Sequence, residues 1–164
     1  MTRRRPVVAA VLAGLLGPAS WAYGWGCEAH RLIAAIAATR LTAPVADAVA
    51  TLTEGASLAE ISCWADDVRP HRSETKRWHY VDIPRRAAAY VPSRDCASTE
   101  QGDCLLAALD RFAQTLRAPG AAPAERLDAL RFVVHLVADL HQPLHCADDG
   151  DAAVRSHPHV PVVV

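Results

Sequence analysis

Histidine and aspartate residues near the C-terminal end of the chain have the types and the spacing of a metal site. Residues 132–145 read FVVHLVADLHQPLH, and within them His135 and Asp139 are four residues apart. On a helix this spacing puts both side chains on one face, one turn apart, where both can bind a single ion. Imidazole nitrogen and carboxylate oxygen are zinc ligands in proteins. The stretch therefore predicts a metal-binding helix, with a hydrogen-bonded Asp/His pair in a helical core as the alternative.

This helix is expected to end near Gln142. Pro143 lacks an N–H, and its ring would clash with the carbonyl of Asp139. The chain would then turn and bring His145 back towards the same site. His141 lies off the Asp139 face and is interpreted as a structural histidine.

Further candidate ligands lie far from this stretch, at Trp25, His30, Asp66 and His79. Trp25 can contribute its α-amine and carbonyl if processing makes it the first residue. The ordinary pKa of an α-amine, about 7.7–8.0, makes loss of its proton to a metal easy.

The first 24 residues have the pattern of a secretory signal peptide. Arginines at 3–5 precede an apolar run at 7–16 and then small residues. Ala22 and Gly24 suit a cleavage site before Trp25, and cleavage after Ala22 is the alternative. The apolar run is too short to span a bilayer, and no later stretch has about 18 uncharged apolar residues. We therefore expect an exported chain without a membrane span.

Charge and length limit what the processed chain can be. Without residues 1–24 it has 14 basic and 18 acidic residues, a net charge of −4, in 140 residues. That length is enough for one domain. A lysine-rich nucleic-acid groove is excluded, so a polyanionic substrate would have to be met by bound cations and single arginines.

Five cysteines in an exported chain favour disulfides and leave one cysteine unpaired. Cys96 and Cys104 bracket a polar loop and are the best candidate pair. Cys27, Cys63 and Cys146 remain unassigned.

Apolar periodicity and capping residues predict an all-α, single helical domain without a sheet. The third predicted helix starts with a capping box of Ser57 and Glu60 and carries Asp66 and Asp67 near its C-terminal end, where acids oppose the helix dipole. The fourth has Asp103 as its N-cap. Residues 78–84 are predicted to be extended. The five predicted helices span residues 28–41, 44–52, 57–69, 104–117 and 124–142.

Four motifs in this order resemble the secreted single-strand-specific zinc nucleases, the mung-bean-nuclease-like 3'-nucleotidase/nuclease family. They are Trp-Gly-x-x-x-His at 25–30, Trp-Ala-Asp-x-x-Arg at 64–69, Trp-His-Tyr-x-Asp-Ile-Pro at 78–84 and His-x3-Asp-x-His-Gln-Pro-Leu-His at 135–145. The resemblance covers residues 25–151 as a partial helical zinc nuclease domain. It leaves 1–24 as signal peptide and 152–164 as a tail unlike the family.

The resemblance implies an all-helical domain, related to zinc-dependent phospholipase C, with three zinc ions in one cleft. Asp66, His79 and His135 would bind one zinc ion. Asp139 would bridge it to a second ion, which Trp25 and His30 would complete. His145 would be the first ligand of the third ion. The family's other ligands for that ion come from a downstream His-x3-Asp, which does not follow His145 in this sequence. We therefore expect a C-terminally truncated chain that binds fewer than three zinc ions.

The resemblance also implies a reaction and its residues. Asp66 and Asp139 would be catalytic through the metal pair, and Arg69 would contact the phosphate. Tyr80 would stack on a base, and Asp82 would accept a hydrogen bond from its edge. The expected protein is a secreted or periplasmic, monomeric endonuclease and 3'-nucleotidase. It would cleave single-stranded DNA or RNA, or 3'-nucleotides, to 5'-phosphate products. The alternatives are an inactive zinc-binding remnant and a zinc-dependent phospholipase C.

Overall fold

The computed structural model describes residues 26–100 and 102–147, and their regular elements are helices. No strand occurs among these residues. Thr99 and Gly102 form an isolated β-bridge. The predicted all-α class is confirmed. The α-helices are α1 (Cys27–Ala38), α2 (Ala43–Leu52), α3 (Leu58–Ile61), α4 (Trp64–Val68), α5 (Pro92–Asp95), α6 (Leu105–Arg117) and α7 (Pro123–Leu140), with 3₁₀ helices at Ser73–His79 and Pro143–His145.

The predicted signal peptide, Trp25 and the predicted tail at 152–164 lie outside the described residues. None of the helices in the described part of the chain combines the length and the hydropathy that crossing a bilayer requires.

Helix α7 is the element around which the others pack. It contacts α1 to α4, α6 and both 3₁₀ helices. Pro123 in its first turn costs no hydrogen bond, because the first N–H groups of a helix have no partner within it. The helix ends at Leu140, two residues before the predicted end. Its buried residues include both His135 and Asp139.

An aromatic cluster packs one turn before His135. Phe132, which is fully buried, stacks on Phe112 with ring centroids 4.5 Å apart. The rings of Trp64 and Trp78 meet Phe132 edge-on at 5.3 and 5.2 Å. Aromatic pairs favour these offset and edge-to-face arrangements. The cluster fixes α4 and the first 3₁₀ helix against α7.

The prediction of a single helix at 57–69 is wrong, because the helical hydrogen bonding is interrupted between α3 and α4. The capping box of Ser57 and Glu60 does start α3. The N–H of Asp66 then bonds the carbonyl of Cys63 at 3.0 Å, so the carbonyl of Ser62 is left for another donor. Asp66 and Asp67 consequently lie in the first turn of α4, where acids are favourable, and not at a C-terminal end.

Three further predictions differ from the structure. Helix α1 ends at Ala38, three residues before the predicted end. Trp78 and His79 close the first 3₁₀ helix, and only the residues from Tyr80 onward are extended. Burial of Trp78 in the aromatic cluster, a tertiary effect, overrides the local alternation. The N-cap of α6 is Cys104 and not Asp103, whose carboxylate pairs with Arg111 instead.

Two disulfides are present among the described cysteines. Cys96 bonds to Cys104, and Cys27 bonds to Cys63. Cys146 has a free thiol.

Candidate metal centre

Helix α7 places His135 and Asp139 side by side in the interior. Both residues are almost completely buried. The Nδ1–H of His135 donates to the carbonyl of Ser62 at 2.7 Å, which turns Nε2 towards Oδ2 of Asp139, 3.3 Å away. A histidine that ligates a metal usually has its other ring nitrogen fixed in this way. The break between α3 and α4 therefore orients His135.

His79 enters the same place from the end of the first 3₁₀ helix. Its Nδ1 lies 3.0 Å from Oδ2 of Asp139 and 3.2 Å from Nε2 of His135. The ring is as buried as the other two side chains. Two imidazoles thus share one carboxylate oxygen.

Asp66 provides a fourth donor from α4. Its Oδ1 lies 3.7 Å from Nδ1 of His79 and 3.7 Å from Nε2 of His135. Zinc at about 2.0–2.1 Å from four tetrahedral ligands requires those ligands to be about 3.3–3.4 Å apart. The two imidazoles lie 3.2 Å from each other, 3.0 and 3.3 Å from Oδ2 of Asp139 and 3.7 Å from Oδ1 of Asp66, and these separations bracket that value. The donor set and its spacing fit a zinc ion.

His30 of α1 faces the other oxygen of Asp139. Its Nε2 lies 3.4 Å from Oδ1, and its ring stacks on that of His135 with centroids 3.9 Å apart. Nδ1 of His30 is buried and has no hydrogen-bond partner in the described part of the chain. The two oxygens of Asp139 therefore face different histidines, an arrangement that could bridge two ions.

His145 lies next to this group but is held in a different way. Its Nδ1–H donates to the carbonyl of His79 at 2.7 Å, and its own carbonyl accepts the N–H of Val81 at 2.8 Å. The Gln142 side chain accepts from Leu144 and caps the short 3₁₀ helix that carries His145. Within the described residues, His145 does not join a group of three metal-ligating side chains.

The pKa values in the protein without metal follow from burial and from Asp139. Burial would raise the pKa of Asp139, but hydrogen bonds from His135 and His79 outweigh it and hold that pKa below its usual value. Burial lowers the pKa of His79, and burial together with repulsion from His135 lowers the pKa of His30 to about 4. Burial by itself would lower the pKa of His135. The hydrogen bond to Asp139 and the negative charge of Asp139 have the larger effect, so the pKa of His135 is raised.

The predicted substrate residues are close in the sequence to the candidate ligands Asp66 and His79. Nη1 of Arg69, at the end of α4, is 3.6 Å from Oδ1 of Asp66, and both side chains are about two-fifths exposed. Tyr80 and Asp82 are half-buried in the extended segment that follows His79. The exposed side of the group is therefore the side of Asp66 and Arg69.

Sequence reasoning missed two features of the site. One is the Ser62 carbonyl that orients His135, for which the sequence has no signal because the partner is 73 residues away. The other is the Cys27–Cys63 disulfide, which could have been suspected from the closeness of each cysteine to a candidate ligand in the sequence.

The sequence model of the S1/P1 Nuclease family matches residues 25–154. Endonuclease 2 of Arabidopsis thaliana is 33% identical over 165 residues, covering 92% of this chain and 56% of that protein. Nuclease S1 of Aspergillus oryzae is 31% identical, covering 88% of this chain and 50% of that protein. Nuclease P1 of Penicillium citrinum is 28% identical, covering 74% of this chain and 47% of that protein.

The chain thus spans about half the length of the relatives it matches. The family match covers most of the chain and includes every described residue of the candidate metal centre. The chain belongs to the S1/P1 nuclease family.

Proposed function

We propose that this chain is a zinc-dependent nuclease that hydrolyses phosphodiester bonds of single-stranded DNA or RNA. It also acts on 3'-nucleotides, and its products carry a 5'-phosphate. The observation that carries the proposal is the position of Asp139, whose two oxygens face His30 on one side and His79 with His135 on the other. A carboxylate between two histidine groups is a natural bridge for two ions.

The residues have separate roles. Asp66, His79, His135 and Asp139 would hold the first zinc ion. His30, Asp139 and the terminal amine of Trp25 would hold the second. The donors described here account for two zinc ions, and His145 is assigned to neither. Zinc would supply Lewis acidity towards a phosphoryl oxygen and would acidify water for attack on phosphorus.

The chain's own side chains orient the substrate. Arg69 lies beside Asp66 at the exposed side of the group, where its guanidinium can bind a phosphate oxygen through charge-assisted hydrogen bonds. Tyr80 stacks on an unpaired base, and Asp82 accepts from its edge. Stacking tolerates any base and requires an unstacked strand, which supports preference for single-stranded substrates.

Export belongs to the same proposal. Residues 1–24 are a signal peptide, residues 25–151 form the domain and residues 152–164 are a tail outside it. The mature chain is a secreted or periplasmic monomer. Two observations support export. The two disulfides are of a kind that persists in oxidising compartments, and the N-terminal segment is apolar.

The test uses the exported chain purified in the presence of zinc. We expect acid-soluble nucleotides from single-stranded DNA or RNA and little release from duplex DNA. We also expect loss of activity after chelation and recovery with added zinc. Release of choline phosphate from phosphatidylcholine, without nucleotide release, would make the protein a phospholipase C. Zinc binding without any hydrolysis would make it a remnant.

A further inference from the structure

We infer that the Cys27–Cys63 disulfide positions the second zinc site, by fixing the first turn of α1 against the turn that carries Asp66. The inference rests on the proposed function, since it concerns the metal affinity of that site. Cys27 and Cys63 are positioning residues in this inference, because neither is among the proposed zinc ligands or the proposed substrate residues.

The first step is where Cys27 lies. It is the first residue of α1 and is one helical turn before His30, whose Nε2 faces Asp139. It also follows Trp25 by two residues in the sequence. A covalent bond at Cys27 therefore restrains the turn that carries His30, the described residue of this part of the chain that is proposed as a ligand of the second site.

The second step is what Cys63 is attached to. Cys63 lies in the break between α3 and α4 and is buried. Its carbonyl accepts the N–H of Asp66 at 3.0 Å, and the preceding carbonyl, that of Ser62, accepts Nδ1–H of His135. The disulfide therefore joins α1 to the turn that also orients two ligands of the first site.

The third step is what else holds this end of α1. Gly26, its N-cap, makes no side-chain capping bond. The buried apolar contact of α1 comes from Ala34, two turns further on, which packs with Leu58 and Ile61. Leu32 is largely exposed. Apart from the ring of His30, which is buried and stacks on that of His135 with centroids 3.9 Å apart, the disulfide is the attachment that the described contacts give to this turn. Helix ends with few attachments fray, so the disulfide restrains the turn that carries His30.

The two zinc sites should therefore respond differently to loss of the bond. The first site draws His135 and Asp139 from α7 and His79 from a 3₁₀ helix packed in the aromatic cluster. It also draws Asp66 from α4, which Trp64 packs into the same cluster. The second site depends on the end of α1. Changing the support of a metal ligand commonly lowers metal affinity by about 10- to 100-fold, and that loss is expected at one site only.

The experiment compares the full exported wild-type chain with the Cys27→Ser/Cys63→Ser double variant. Cys96→Ser/Cys104→Ser, which removes the other disulfide, is the matched control. Zinc affinity is measured by competition with a chromogenic chelator, at a temperature where circular dichroism shows each chain folded. In the first variant we expect one zinc ion to bind about 10- to 100-fold more weakly and the other to bind unchanged. The control is expected to keep both affinities.

A second readout does not involve zinc. In the metal-free Cys27→Ser/Cys63→Ser variant, amide hydrogens of residues 28–31 should exchange faster than in wild type, while those of 132–139 should not. Unchanged exchange at 28–31 together with unchanged zinc affinities overturns the inference alone. A wild-type chain that binds no zinc overturns the proposed function and the inference with it.

A reduction experiment covers the case in which the double variant does not fold. Folded Cys96→Ser/Cys104→Ser, in which Cys27–Cys63 is the disulfide that remains among the described residues, is treated with tris(2-carboxyethyl)phosphine. Free thiols and released zinc are measured together. Release of one zinc ion in step with reduction supports the inference. Reduction without release, or release of both ions at once, contradicts it.

Discussion

His79 and Asp139, 60 residues apart in the chain, meet in the interior with Nδ1 and Oδ2 separated by 3.0 Å. Their contact joins the end of a 3₁₀ helix to the last turns of α7. A second imidazole, that of His135, approaches the same oxygen, and His30 approaches the other. Three imidazoles around one buried carboxylate exceed what a hydrogen-bonded pair requires, and a shared metal cluster accounts for all of them.

Replacing Asp139 should affect both zinc positions at once. Asp139→Asn keeps the size of the side chain but removes the charge that each position shares. We expect zinc affinity at both positions to fall by more than about 100-fold, and hydrolysis to fall with it. Isothermal titration with zinc measures this loss.

Asp128→Asn is the matched control, since Asp128 is a partly exposed acid on the same helix, paired with Arg131. The control should bind zinc as wild type does. Tight binding of two zinc ions by Asp139→Asn would contradict the shared role.

Substitutions of the neighbouring acids Asp66 and Asp67 should differ sharply in their effect on zinc binding. Both lie in the first turn of α4, but only Asp66 has a carboxylate oxygen within 4 Å of the buried histidines among the described contacts. Asp66→Asn should weaken the first zinc position by about 10-fold or more, whereas Asp67→Asn should change it less than about twofold. Elemental analysis after dialysis against a weak chelator compares the two. Equal zinc content in both variants would refute the assignment.

Stability of the metal-free protein should depend on pH through His30. Its pKa is lowered to about 4, so below its ordinary pKa the unfolded chain takes up a proton that the folded chain does not. The free energy of unfolding should therefore fall as the pH decreases from about 6.5 to about 4, by on the order of 2 kcal/mol from this residue.

Urea unfolding in the presence of EDTA, at several pH values, measures this dependence. His30→Gln should flatten it, because glutamine does not titrate. A variant at the exposed His141 serves as control and should retain the wild-type dependence. The same pH dependence in His30→Gln as in wild type would show that His30 is not responsible.

The aromatic cluster should account for a large share of stability. Phe132→Ala leaves a cavity among Phe112, Trp64 and Trp78 and should cost about 3–5 kcal/mol in the free energy of unfolding. Leu32→Ala, at an exposed position, should change it by less than about 0.5 kcal/mol. Chemical denaturation measures both. Similar losses in the two variants would mean that the cluster does not carry this stability.

The parts of the site that were predictable from sequence are those fixed by local geometry. His135 and Asp139 share a face because they are four residues apart on a helix, and Ser57 starts a helix because Glu60 completes its cap. The break at Ser62 was not predictable. No proline or glycine marks it, and the carbonyl released there is stabilised by a histidine from a distant helix.

Tertiary packing also accounts for the other differences between the sequence predictions and the structure. Trp78 is drawn into a 3₁₀ helix by the aromatic rings around it, although its local sequence alternates as an extended segment does. The pairing of Cys27 with Cys63 depends on folded distances that spacing alone does not contain. His79 could be assigned as a ligand from its motif, but its distance to Asp139 could not.

Anomalous diffraction at the zinc edge, from crystals of the exported chain grown with zinc, tests the central claim most directly. We predict two peaks, one on each side of the Asp139 carboxylate and about 3.5–4 Å apart. One should lie among Asp66, His79 and His135, and the other beside His30. Zinc bound elsewhere on the chain, with no peak among these residues, would contradict the account.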